Sequence, residues 1–526
     1  MTCAAAYVPD LVQGSKKVFS RAEVAKHAKE DDLWIIVDTA VYDLSDFIDM
    51  HPGGASILLD PKIAGKDATQ VFFGLHRGEV ASKYARMIIG TIENEKPQVI
   101  LPTPGTISTV PHAEPMWLVK GMQSAYFNDS HRALQKAMRN FFDNEVREEA
   151  TEHEISNERP TVELIKKMGA NRINHMRMGP GKHLHGLTLP GGVKGEEFDY
   201  FHEMIITQEV ARVVGRGYGD GLQGGCVIGL PPLNFGSKEL QKRIVPAVLA
   251  GDKFIALAVS EPEAGSDVSG LRTTATKSED GRFWIVSGQK KWITGGNFAD
   301  YFTTAVRTGK NELSMLLIER DFGGVETKII KTAYSSAAGT AYITFDNVKV
   351  PVENTLGKAG DGLKIVLSNF NHERWVMCCS AIRAARAVVD ETFRWACLRQ
   401  VFGKPLIGQP VIRAKFASMF SQIEAGQSWL ENITFQMCKL NYFQQADLLA
   451  GQIALLKRYL TRIAAECADQ CVQIAGGRGI TKGGMLGSVE AYMRTYKFDA
   501  VLGGSEEILG DLGVRQAMRK MTPHSL

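Results

Sequence analysis

LAVSEPEAGSD, residues 257–267, runs from an apolar strand into a turn carrying Gly265 and Ser266. KWITGG, residues 291–296, ends a second β-rich run with Trp292 and Thr294 beside two glycines. Between and after them come RFWIVSG, SMLLIER and AYITFDNVKV, separated by Gly, Asp and Pro. Short β-rich runs with such punctuation predict a mostly antiparallel sheet over about 251–357.

Outward from that sheet the texture is helical. Runs such as AMRNFFDNEVREEA and FHEMIITQEVARVV, between 116 and 250, repeat apolar residues at three- and four-residue intervals. NHERWVMCCSAIRAARAVVDETFRWACLRQ and QIALLKRYLTRIAAECADQCVQIA do the same in the segment 358–526. The order helices, sheet, helices predicts segregated layers rather than an alternating βαβ sheet. Upstream, residues 93–115 are rich in Pro and Thr without a sustained period, which predicts an extended, semi-rigid linker. It divides this body from a small unit over 16–92. The expected architecture is therefore multidomain: a small α+β unit, the linker, a helical domain at 116–250, a β-domain at 251–357 and a helical domain at 358–526.

Composition narrows the function classes. With 44% hydrophobic and 23% charged residues in 526, the chain is globular and long enough to bury large cores without staples. A net charge of +3 is too weak to suggest a nucleic-acid partner. Eight cysteines without repeated spacing, including Cys467 and Cys471 in a helical stretch, predict buried free thiols and a reducing compartment. The start MTCAAAYVPD does not resemble a signal peptide, no apolar run is long enough to span a membrane, and His524-Ser525-Leu526 is not an S-K-L address. The expectation is a soluble intracellular protein, with cytoplasm and organelle matrix both open.

The small unit holds HPGG at 51–54, Phe72-Phe73, His76 and Tyr84. Two histidines on facing loops are able to hold a haem iron axially, and Pro52-Gly53-Gly54 supplies a turn that aims His51. The segment resembles cytochrome b5 over essentially its whole length, including WIIVDTAVYDLSDFIDMHPGG. That resemblance implies His51 and His76 as the two axial ligands of haem b.

In the body, the turn at Gly265 and Ser266 offers N–H groups and a hydroxyl to a diphosphate or a flavin edge. Trp292 suits a fused ring, and Thr294 a hydrogen bond to it. Together with FDNVKVPVENTLG (345–357), RQVFGKP (399–405), VQIAGGRG (472–479) and GGSEEIL (503–509), these stretches resemble the acyl-CoA dehydrogenase superfamily from 116 to the C-terminus. The resemblance implies a non-covalent FAD and a homo-oligomer, a dimer or tetramer. It implies that Leu257, Val259 and Ser260 face the flavin ring, and that Gly265 and Ser266 meet FAD phosphate or the acyl-CoA. Trp292 and Thr294 would flank the ring, and Arg399 and Phe402 would reach FAD in a neighbouring subunit. Gln473 and Gly477 would cover the adenosine end, with Ser505 and Glu507 near the nucleotide. Two departures stand out: Glu263 replaces a common glycine, and the usual glutamine after Phe402 comes one position early, as Gln409.

Removing an α-proton from an acyl thioester while a hydride leaves the β-carbon requires a positioned base. In many relatives a carboxylate precedes the G-[TS] of the last motif, where this chain has Gly503. Other branches place the glutamate on an earlier helix, directly before an arginine, and here that residue is Glu373, before Arg374 in NFNHERWVM. The resemblance implies Glu373 as base and Arg374 beside the substrate. The function expected is α,β-dehydrogenation of an acyl-CoA, with flavin electrons passed to the fused haem and on to a one-electron partner. A flavin oxidase using oxygen, or an enoyl-CoA reductase running electrons from haem to flavin, are the alternatives.

Overall fold

A computed structural model describes residues 17–76, 78–96, 103–213 and 215–521. The N-terminal stretch with Cys3, His524-Ser525-Leu526 and residues 97–102 of the expected linker lie outside them, with the expectations that rest on them.

In the small unit, β1 (Lys17–Phe19), β2 (Ala28–Lys29), β3 (Asp32–Val37), β4 (Ala40–Asp43) and β5 (Ile88–Ile92) form one sheet, ordered β1-β5-β4-β3-β2. Only β1 and β5 run parallel. Three short helices, Ala55–Leu58, Thr69–Leu75 and Gly78–Lys83, are inserted between β4 and β5 and carry the walls of a crevice. Leu33, Ile35, Val37, Leu58 and Phe73 pack beneath it.

The expected linker differs from a free tether. Glu95 pairs with Arg21, so the segment just after β5 still belongs to the small unit. From Gly105 onward the chain is strapped to the body. Gly105 N donates to Asp143 Oδ2 at 2.9 Å, Arg386 Nη1 to His112 O at 2.9 Å, and Arg383 Nη1 to Ala113 O at 2.9 Å. Glu114 is buried, 2.8 Å from Arg383 Nη2 and 3.0 Å from Arg139 Nη2, and Arg139 also holds Glu209 at 2.7 Å. Buried charges persist only when paired. This cluster therefore ties the strap to both helical layers, a role that Pro and Thr content does not reveal.

The body follows the helices, sheet, helices order. The first layer holds helices Asp129–Phe141, Arg147–Ser156, Val162–Ala170, Tyr200–Val213, Arg216–Gly224 and Lys238–Ala250. Asn128 caps the first by accepting from Ser130 and His131 N–H groups, and Gly251, at φ 84°, ends the last. The sheet comprises β6 (Ile255–Ala258), β7 (Thr274–Lys277), β8 (Phe283–Ile293), β9 (Tyr301–Gly309), β10 (Glu312–Glu319), β11 (Val325–Ile329), β12 (Ala341–Pro351) and β13 (Thr355–Leu356). Its order is β11-β12-β8-β7-β9-β10-β13, with β6 added parallel to β9. RFWIVSG and KKWITGG, read as separate runs, are one strand, β8. Gly288 continues it at φ 149°, where a Cβ would stand 2.6 Å from Thr273 Cα, so the glycine permits a close crossing instead of a break.

The last layer is built on helices Phe370–Leu398, Pro410–Lys439, Ala450–Ala475, Gly487–Val501 and Glu506–Lys520. Trp375, Cys378, Ile382, Leu430, Leu456 and Ile463 fill its core, and Cys467 and Cys471 are buried free thiols as expected. Among the described residues no helix is long and apolar enough to cross a membrane. The small unit touches this layer: Leu398, at the end of the Phe370–Leu398 helix, packs against the core beneath the crevice.

Candidate functional site

Glu373 lies in the first turn of the Phe370–Leu398 helix, 8% exposed. Across from it is Gly503, at φ 64°, where a Cβ would stand 3.8 Å from Glu373 Oε1 and 2.9 Å from Met377 Sδ. The two backbone positions from which a carboxylate was sought therefore converge on one place, and only the first carries one. Two cations hold the facing turn. Arg374 Nε donates to Gly503 O at 3.0 Å, while Lys457 Nζ donates to Gly504 O at 2.7 Å and to Leu502 O. Arg374, expected beside the substrate, thus spends its Nε on the turn that frames the base.

Burial pushes the Glu373 carboxyl above the ordinary range, and Arg374, Lys457, His372 and Arg216 pull it partly back. Burial likewise lowers Lys457 to about 8, opposed by Asp499. Arg216 meets Asp220 at 2.7 Å and Asp499 at 2.8 Å. Asp220 is raised to about 7 by burial, against the pull of Arg216 and with the push of Asp499. Its Oδ2 has no hydrogen-bond partner among the described residues. Sequence reasoning missed Lys457, Arg216, Asp220 and Asp499. One signal was present: in QIALLKRYL, Lys457 falls on the same helix face as buried Ile453, Leu460 and Ala464.

A second group surrounds the end of β6. Lys291 N donates to Ser260 O at 2.9 Å, which brings the LAVSEP strand against the end of β8 where Trp292 stands. Buried Lys290 donates to Val259 O and to Glu261 Oε1, fixing the backbone that leads into the turn. Val259 is buried, Leu257 and Ser260 are half-buried, and Gly265 and Ser266 are exposed. Trp292 takes φ 68° and leaves half its surface open. A large aromatic face left bare beside an open glycine turn fits a planar cofactor with a phosphate tail. Thr294 lines a crevice together with Asp220, Gly225 and Cys226, which connects this group to the surroundings of Glu373. Ser505 caps the last helix by accepting from Ile508 N, and Glu507 points outward into solvent.

Arg399, Phe402, Gln473 and Gly477 gather elsewhere. Phe402 sits at φ 49° on the hairpin of β14 (Gln400–Val401) and β15 (Lys404–Pro405), 95% exposed. Arg399 is close enough to Arg478 to depress it further after desolvation. Gly476 and Gly477 have open space where a Cβ would be. The expected cofactor residues thus divide into one set beside Glu373 and one at the opposite end of its helix.

The crevice of the small unit is framed by His51 and His76, whose ring centres are 6.1 Å apart. Two imidazoles bound end-on to one iron, with metal–nitrogen bonds of about 2 Å, put their ring centres about 6 Å apart. His76 Nδ1 donates to Phe72 O at 3.2 Å, leaving Nε2 with its lone pair toward the crevice. Burial lowers the His76 pKa, which favours that neutral ligand form. Gly53 is required sterically, since a Cβ there would lie 2.8 Å from His51 Cε1. Phe47, Tyr84 and Phe72 line the rings with aromatic surface. The residues present fit a haem held by His51 and His76.

Family models match in the same order along the chain. Residues 20–93 match the cytochrome b5-like heme/steroid binding domain. Residues 128–252, 256–348 and 360–518 match the N-terminal, middle and C-terminal domains of acyl-CoA dehydrogenase. The chain is 39% identical over 422 residues to the acyl-CoA dehydrogenase apdG of Emericella nidulans, covering 78% of this chain and 96% of that one. An acyl-CoA dehydrogenase structure from Mycobacterium smegmatis superposes with a TM-score of 0.67 at 27% identity, over 76% of this chain and 100% of that one. One from Bacillus anthracis complexed with FAD gives 0.66 at 25% identity, over 76% and 68%.

Proposed function

This chain belongs to the acyl-CoA dehydrogenase family, with a cytochrome b5-like unit at its N-terminal side, and from that premise we propose that it desaturates an acyl-CoA thioester at the α,β bond and passes the electrons to a fused b-type haem. When bound, FAD supplies a hydride acceptor and haem b a one-electron carrier. The support for FAD is the half-bare Trp292 beside the open Gly265–Ser266 turn, with Leu257, Val259, Ser260 and Thr294 as the remaining contacts. The support for haem is the His51–His76 spacing.

The observation that carries the reaction is Glu373 buried opposite a glycine. A carboxylate in a dry site with a raised pKa is a strong base once ionised, and it is the group positioned to take the α-proton. Gly503, with no side chain, leaves the space in front of it to the substrate. Arg374 and Lys457 hold the 502–504 turn and bias Glu373 toward its ionised form. The test is anaerobic flavin reduction by a panel of acyl-CoAs, in the parent protein and in Glu373→Gln. Bleaching by none of the panel would remove the acyl-CoA assignment, and bleaching unaffected by the substitution would remove the base.

A further inference from the structure

We infer that the haem-binding unit of one copy serves the flavin site of a second copy and not that of its own chain. The inference rests on the electron path proposed above and adds which site the haem faces. Its origin is where the small unit is seated. The Thr69–Leu75 helix, which leads into His76, lies on the end of the Phe370–Leu398 helix, with Phe73 and Leu398 in one apolar cluster. At Gly74 a Cβ would stand 3.8 Å from Leu398 O, so the two backbones approach closely.

Glu373 is at the other end of that same helix. About seven turns separate it from Leu398, roughly 37 Å at 1.5 Å per residue. Proton and hydride leave adjacent carbons of one acyl chain, so the flavin that takes the hydride must sit beside Glu373. The haem crevice and the flavin of the same chain are therefore held far apart by a rigid rod, too far for direct electron tunnelling.

What does lie beside the haem unit is an incomplete site. Arg399 directly follows Leu398 and stands near Arg478, and neither guanidinium has an ion pair among the described residues. Phe402 on the adjoining hairpin is 95% exposed and Ile480 is 70% exposed. The backbone at Gly476 and Gly477 is open. Two cations, a bare aromatic ring and an open glycine turn suit an anionic, flat partner. A dinucleotide held by a second copy satisfies all three. The haem unit, seated on the residue before Arg399, then borders the adenosine end of that copy's dinucleotide, which brings its flavin within the length of one dinucleotide.

The electron balance sets the stoichiometry. Each acyl group loses two protons and two electrons, as a proton to Glu373 and a hydride to the flavin. Iron carries one electron at a time, so two passages are needed per acyl group, with a one-electron acceptor outside the chain taking both.

Hybrid oligomers decide the matter. Copies with His51→Ala and copies with Glu373→Gln, each with its own affinity tag, are mixed and purified over both tags. No copy in such a hybrid has both haem and base, whatever the subunit number. The inference expects acyl-CoA to reduce the haem in the hybrid within about tenfold of the parent rate, and in neither parental variant alone. Haem that stays oxidised in the hybrid, while the parent's is reduced, places the relay within one chain and overturns the inference. Haem that stays oxidised in the parent as well overturns the proposed electron path, and the inference with it. A structural readout runs beside the kinetic one. Leu398→Asp, or Leu398→Ala if the first does not fold, should raise amide hydrogen exchange in Thr69–Leu75 with the haem spectrum unchanged. It should slow haem reduction tenfold or more while flavin reduction keeps its rate. Unchanged exchange and unchanged haem reduction would show that this seat is not the working one.

Discussion

Glu373→Gln keeps the side-chain volume and removes the proton acceptor. Loss of a general base typically slows the step by about 10²–10⁴-fold, which is roughly 3–5 kcal/mol of barrier. The upper part of that range is expected here, because Glu373 is buried and Gly503 supplies no substitute carboxylate. The readout is stopped-flow flavin bleaching by a saturating acyl-CoA without oxygen, across pH. In the parent, the rate should climb with pH through a midpoint above 4.5, the ordinary value for this carboxyl, since burial raises it. In the variant the residual rate should be flat. Stability should move the other way. The folded protein holds the Glu373 proton more tightly than the unfolded chain, so this stability is full below about 4.5 and is lost as pH rises through the raised value. Glu373→Gln should therefore melt at a higher temperature than the parent above that midpoint, which also excludes misfolding as the cause of inactivity. Restoring a carboxylate by Gly503→Glu alone should fail, because φ 64° disfavours a side chain and Met377 Sδ would be 2.9 Å from its Cβ. With Met377→Ala added, partial recovery is expected. Flavin bleaching by Glu373→Gln within threefold of the parent would refute the reasoning.

Lys457→Met should move the midpoint of the pH–rate curve upward, because a cation that favours ionised Glu373 is lost; Lys457→Arg should restore it, and a midpoint that does not move would confine Lys457 to holding the turn. His51→Ala or His76→Ala should abolish the low-spin haem spectrum and leave FAD content unchanged, as measured on purified protein by absorbance. Glu114→Ala should cost about 3–5 kcal/mol in denaturant unfolding, since Arg383 is left buried without the carboxylate it pairs with and Arg139 keeps only Glu209; a loss below 1 kcal/mol would mean that the strap contributes little.

Much of the fold was legible because its signals are local. The three-to-four-residue apolar spacing and the Gly, Asp and Pro punctuation place the two helical layers and the sheet between them. Where the reading broke β8 at Gly288, the glycine serves a close approach to Thr273, which is visible only once β7 is beside β8. The strap at 105–115 reads in sequence as a linker because its anchors are long-range: Gly105 and His112 meet Asp143 and Arg386, and Glu114 meets Arg139 and Arg383 on two distant helices.

The site divides along the same line. Glu373 was implied by resemblance to branches that carry the base before an arginine on an earlier helix, and the folded chain supplies what that argument lacked, the convergence of positions 373 and 503. His51 and His76 are named from HPGG and the second histidine, and the fold sets their rings 6.1 Å apart. Lys457, Arg216, Asp220 and Asp499 come from three helices, so no spacing in the sequence joins them. Arg399 and Phe402 are named by resemblance alone. Their separation from Glu373 by the length of one helix required the fold.

The account's central claim is that the protein desaturates an acyl-CoA and delivers the electrons to the b-type haem fused to its chains. Anaerobic titration of the parent protein with a reactive acyl-CoA, recorded as full spectra, tests it most directly. The flavin band should bleach first and the sharp bands of reduced haem b should then grow, to one electron per haem. Complete flavin bleaching beside haem that remains oxidised would contradict it.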